Sequence, residues 1–165
     1  MQRVCAIAIG IVLTVGLATA ARAQTQGGEQ ELGFLATFAK STEGDSDGFL
    51  VANARYGLFV TPAIQVGGGV GVGGPVDDID NSLSVELFGA YYFSPESTNT
   101  FYARAGLFRQ FTEIDDFDFV DAAFGYKSYL NERAAFFWEG GYGFAISSDV
   151  DGGVVRSVAG ITFLF

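Results

Sequence analysis

From Gln30 onward, apolar and polar residues alternate, and almost every charge within the alternating segments falls on one parity. A period of two puts successive side chains on opposite faces of an extended strand. Eight such segments are predicted as strands, at 30–40, 49–60, 64–74, 82–93, 101–111, 119–128, 134–146 and 154–165. No helical period competes with them. One parity is apolar in all eight, from Leu32, Phe34, Ala36 and Phe38 in the first strand to Phe136, Trp138, Tyr142, Phe144 and Ile146 in the seventh. The other parity carries Glu31, Arg55, Glu86, Arg104, Asp121, Lys127, Glu139 and Arg156, four acids and four bases.

A soluble barrel needs an apolar interior and a polar exterior. Here the face almost free of charge is the one crowded with aromatic residues near the strand ends, as a lipid-facing wall requires. The charged parity is therefore expected inside, where isolated charges would be costly and should pair. The same parity holds Phe49, Phe59, Phe88, Tyr92, Tyr102, Phe108, Phe119 and Phe137, facing a row of Gly67, Gly69, Gly71 and Gly73. Large side chains against a glycine wall predict a filled lumen crossed by a charge network. Arg109 is an exception on the outward parity, near a strand end where it can snorkel to headgroup or lipopolysaccharide phosphates.

The N-terminus reads as an address. Met1-Gln2-Arg3 precedes an apolar run from Val4 to Ala20, and Ala21-Arg22-Ala23 forms an A-x-A cleavage site. Residues 1–23 are read as a cleaved signal peptide and 24–165 as one barrel domain. The mature chain has neither cysteine nor histidine, and seven basic residues against nineteen acidic ones. That balance argues against nucleic acid, which rewards clustered Lys and Arg. No later stretch is apolar enough for a transmembrane helix, so any membrane span must be built from a closed set of strands.

The breaks between strands differ in character. Those at 41–48, 75–81, 112–118 and 147–153 hold twelve of the nineteen acids, while those near Thr61-Pro62, Ser94-Pro95-Glu96 and Asn131-Glu132-Arg133 carry far less charge. With the N-terminus in the periplasm, the acidic loops face outside. Their Asp-x-Asp pairs, such as Asp45-Ser-Asp47 and Asp149-Val-Asp151, are read as solvated turn residues rather than calcium ligands. Gly69-Val-Gly-Val-Gly-Gly74 matches G-x-G-x-x-G, but Pro75 follows where a dinucleotide fold needs a helix. Without histidine, Ser-His chemistry is excluded, and the inward carboxylates are read as structural. No cofactor or metal site is expected.

The last strand ends on Ile161, Phe163 and Phe165, one apolar face with an aromatic terminus. Together with the signal peptide, eight strands and charged core, this resembles the OmpA-like and OmpX-like small outer-membrane barrels. The resemblance implies an all-β, eight-stranded antiparallel up-and-down transmembrane barrel in the bacterial outer membrane. It also implies that the terminal strand closes the barrel and is read by the barrel-assembly machinery. No peptidoglycan-binding domain is expected after Phe165. The expected partners are outer-membrane lipids and lipopolysaccharide, with an extracellular ligand at the acidic loops. The function expected is non-enzymatic, structural or surface-interacting; the alternative is a narrow porin-like channel for ions or small solutes. A soluble ligand-carrying barrel would require the two faces to be inverted.

Overall fold

The computed structural model describes residues 25–42, 48–75, 82–111, 116–146 and 153–165. The expected signal peptide, residues 1–23, and most of the acidic loop residues lie outside these. Eight strands are present: β1 (Gln30–Ser41), β2 (Phe49–Thr61), β3 (Ile64–Pro75), β4 (Ser82–Tyr92), β5 (Asn99–Phe111), β6 (Asp116–Asn131), β7 (Ala134–Ala145) and β8 (Gly153–Leu164). Each pairs antiparallel with its sequence neighbours, and β8 returns to β1, so the sheet closes on itself. The closing register runs from Glu31 opposite Leu164 to Ser41 opposite Val154. Backbone bonds of 3.0 Å in both directions between Gln30 and Phe165 extend it.

Local chemistry explains where the strands stop. All three prolines fall at a turn or a strand end, at positions 62, 75 and 95, where a missing N–H breaks no interior ladder. At the β2–β3 turn the Ile64 N–H donates to Thr61 Oγ1 at 3.1 Å, and at the β6–β7 turn the Arg133 N–H donates to Asn131 Oδ1 at 2.8 Å. Both turns carry a register shift on the incoming strand, between Phe59 and Thr61 and between Tyr129 and Asn131. Such bulges tighten the local twist at a barrel rim. Ahead of β1, the segment 25–29 folds across this short-turn end. The Thr25 hydroxyl donates to the carbonyls of Pro62 at 2.9 Å and Pro95 at 3.4 Å.

The β6 strand departs from the sequence expectation. It starts at Asp116, inside the segment expected as loop 112–118, and runs to Asn131. Asp116 and Asp118 looked like turn residues because they sit in an acidic run. The ladder continues through them because β5 reaches to Phe111, which pairs with Asp116, and Arg109 stands opposite Asp118.

The two faces divide as the alternation requires. Along β4 burial alternates at every residue, with Ser84, Glu86, Phe88 and Tyr92 inside and Leu83, Val85, Leu87 and Tyr91 outside. Exposed apolar residues cover the outer wall, Leu87 at 66% and Val72 at 62% among them. Outward aromatics meet in pairs: Phe101 of β5 stacks on Phe124 of β6 at 5.6 Å, and Tyr142 meets Phe144 edge-on at 4.7 Å within β7. The indole of Trp138 donates to Ser157 Oγ at 3.0 Å on the same wall. A continuous apolar surface of this extent needs a non-aqueous neighbour.

Candidate functional site: the charged lumen

Period-two side-chain direction sends all eight expected lumen charges into the barrel, and each is buried. They fall into two groups. The larger sits at mid-barrel and interleaves Arg55, Arg104 and Arg156 with Glu86, Asp121 and Glu139. Arg55 reaches Glu86 at 2.5 Å and Glu139 at 3.5 Å. Arg104 reaches Asp121 at 2.5 Å, Glu139 at 3.2 Å and Glu86 at 3.3 Å. Arg156 closes the set, at 2.6 Å from Asp121 and 3.0 Å from Glu139. Each carboxylate is thus shared by at least two guanidiniums. Glu139 is the hub: it is 0% exposed, touches all three arginines, and accepts a hydrogen bond from the Tyr102 hydroxyl at 3.0 Å.

The smaller group lies nearer the short turns. Lys127 Nζ donates to Glu31 across the lumen, from β6 to β1, two strands that do not pair. Polar side chains complete the ring. Gln65 donates to Glu31 at 3.3 Å, Tyr92 donates to Gln65 at 3.0 Å, and Lys127 donates to the Tyr92 hydroxyl at 3.3 Å. Alternation predicts which residues point inward; which acid meets which base depends on the stagger between strands.

The inward aromatics shield these charges. Arg55 lies over the Phe88 ring at 5.1 Å, and Lys127 over Tyr92 at 5.1 Å and Phe59 at 5.7 Å. A ring face offers partial negative charge to a cation withdrawn from water. Below them Phe59, Tyr102, Tyr129, Phe137, Val158 and Leu164 share one apolar cluster. The glycine row of β3 makes the room. A Cβ on Gly69 would come within 2.9 Å of Glu86 Oε1, and one on Gly67 within 2.6 Å of the Phe88 ring.

Filling is uneven along the axis. Among the lumen side chains, Glu31, Arg55, Gln65 and Thr162 border a cavity of only about 20 Å³. Towards the long-loop end, Phe49, Phe108 and Phe119 are half-buried and line a cavity of about 240 Å³ instead of packing it shut. The inward-aromatic pattern does not distinguish packing from lining.

Arg109 sits on the outer face and is paired rather than solitary: its Nε lies 3.5 Å from Asp118 Oδ1, and its guanidinium lies 5.2 Å from the Phe111 ring. In β8, Ile161 is half-buried, while Phe163 and Phe165 stand exposed on the outer wall. Among the described residues no three His, Cys, Asp or Glu side chains gather as a metal site. The Asp-x-Asp loop pairs at 45–47, 78–80 and 149–151 lie outside the described residues.

No protein-family model matches the sequence, and no curated protein matches it. Solved structures do. The N-terminal β-barrel domain of Pseudomonas aeruginosa OprF superposes with a TM-score of 0.62 at 17% identity, covering 85% of this chain and 98% of that one. The Neisserial surface protein NspA gives 0.61 at 14% identity, covering 85% and 98%. The outer membrane protein OprG of Pseudomonas aeruginosa gives 0.59 at 13% identity, covering 87% and 99%. The fold is that of the small eight-stranded outer-membrane barrels.

Proposed function

We propose that this barrel is a non-enzymatic integral protein of the bacterial outer membrane, closed along its axis and acting through its acidic loops as a structural or surface-interacting element. Dimensions support the membrane placement. A strand of 12 residues is about 40 Å long at roughly 3.3 Å per residue, and at a tilt of about 40° it covers about 30 Å, the thickness of the hydrocarbon core. The short turns and Thr25 then lie on the periplasmic side, residues 1–23 are removed on export, and the acidic loops face out. Lipid and lipopolysaccharide contact the outer wall. The assembly machinery reads the strand ending Ile161, Phe163, Phe165.

The observation that carries the closed reading is the mid-barrel layer of six interlocked charges around the fully buried Glu139. Opening a water path there means separating ion pairs already withdrawn from solvent. Planar-bilayer recording of refolded protein tests it: the expected result is silence from protein shown to be folded.

One feature favours a second reading, a narrow channel. Because each carboxylate has two or more guanidinium partners, the pairs can exchange without leaving any charge alone. Unitary steps altered by reversing Glu86 or Arg104 would establish that reading and displace the first.

A further inference from the structure

The outer wall is not uniformly convex. A groove of about 880 Å³ crosses it obliquely, from Leu32 near the short-turn end of β1 to Arg109 and Asp118 near the long-loop ends of β5 and β6. Strand register explains its course. Leu32, Tyr56, Gly68, Leu87 and Leu107 are successive cross-strand partners, and Val85, Arg109 and Asp118 are partners in the row beside them. Gly68 and Ala54 lie where the rows adjoin, and their small size makes the low part of the groove. At roughly 4.8 Å between strands, the four steps from β1 to β5 measure about 19 Å, comparable to one extended acyl chain. The loop-side end carries both signs of charge. Arg109 Nε lies 3.5 Å from Asp118 Oδ1, and the two side chains are 46% and 43% exposed, so both are accessible from the wall.

On a wall that faces lipid, no water is at hand to fill such a groove, and an empty one would forfeit dispersion contacts along its length. Hydrocarbon is the occupant that this position supplies. We infer that the groove holds one phospholipid with a zwitterionic phosphoethanolamine head, an acyl chain lying along the row from Leu32 to Leu107 and the head at Arg109 and Asp118. The head follows from the charges. A guanidinium offers paired donors to a phosphate. The Asp118 carboxylate accepts from a primary ammonium, which brings donors and no acceptor. A purely anionic head would be attracted by Arg109 and repelled by Asp118, so the carboxylate is the group that selects. Arg109 stands near the strand end, at the level where a long cationic side chain meets head groups. The inference rests on the membrane placement proposed above and names a lipid that the placement alone leaves open.

Two measurements on the full barrel keep the placement and the site apart. Trp138, the sole tryptophan, is 51% exposed on the outer wall and does not line the groove. In vesicles its fluorescence should be quenched by brominated phosphatidylcholine; absence of quenching overturns the membrane placement, and the lipid site with it. With quenching observed, the refolded barrel in detergent is titrated with dipalmitoyl phosphatidylethanolamine or dipalmitoyl phosphatidylglycerol and read by native mass spectrometry. The expected result is saturable retention of a single phosphatidylethanolamine, about five-fold tighter than phosphatidylglycerol, the worth of one net hydrogen bond. Asp118→Asn should erase that preference while phosphatidylglycerol still binds. Ala54→Phe and Val70→Phe, which fill the groove from the lipid side, should each abolish saturable retention, with folding checked by the mobility of unboiled protein on a detergent gel. Equal or stronger retention of phosphatidylglycerol by the unaltered barrel overturns the head-group assignment, and so does a preference that survives Asp118→Asn. No retention, several lipids bound without saturation, or retention unchanged in both filled variants overturns the groove as a site.

Discussion

Surrounded by three guanidiniums and a phenol, Glu139 compensates more buried positive charge than any other carboxylate in the lumen. Removing one partner of a buried ion pair costs about 3–5 kcal/mol, because the remaining charge has no water to turn to. Glu139→Gln is therefore expected to destabilise the barrel by about that amount, measured by urea unfolding in lipid vesicles with gel mobility as readout. A cost under about 1 kcal/mol would mean that water already reaches the layer. The Lys127–Glu31 pair allows a cleaner separation, because it stands apart from the six-charge layer. Lys127→Met alone should cost about 3–5 kcal/mol, and adding Glu31→Gln should recover most of it. Additive losses in that cycle would contradict direct pairing.

Among the strands, β3 is the one whose composition is set by its neighbours rather than by its own propensity, glycine being a poor strand former. Glu86 and Phe88 occupy the space that side chains at 69 and 67 would fill. Gly69→Leu is expected to cost about 1–3 kcal/mol through overpacking and a displaced Glu86. Gly140→Ala, whose added Cβ meets only the Trp138 ring at 3.7 Å, should be neutral or slightly stabilising in the same assay. This strand also marks how far the sequence is legible. The inward glycine row and the aromatics facing it can be read by counting in twos, as can the sidedness of all eight charges. The Lys127–Glu31 contact, 96 residues apart in sequence, cannot, because alternation carries no information about stagger between strands. Nor can the start of β6, where Asp116 and Asp118 have turn-like chemistry and become strand residues only because β5 supplies Arg109 and Phe111 opposite them.

At the scale of the whole barrel, closure between β1 and β8 removes the last free strand edge, and such a structure yields only when the ladder opens all at once. Unboiled protein is accordingly expected to migrate differently from boiled protein on a detergent gel, and identical migration would argue against the lipid-facing assignment of the outer wall. The cancelled interior has a consequence for behaviour in the plane of a membrane. Since the lumen contributes four charges of each sign, the chain's surplus of acid must reside outside it, chiefly in the segments joining the strands at the long-loop end. Two copies approaching side by side would bring like-charged segments together, and charges closer than about 8 Å repel even in physiological salt. The barrel is therefore built to disperse laterally, and divalent cations should relax that spacing. The yield of chemical cross-links between copies in vesicles is expected to rise with added magnesium and to fall again on chelation.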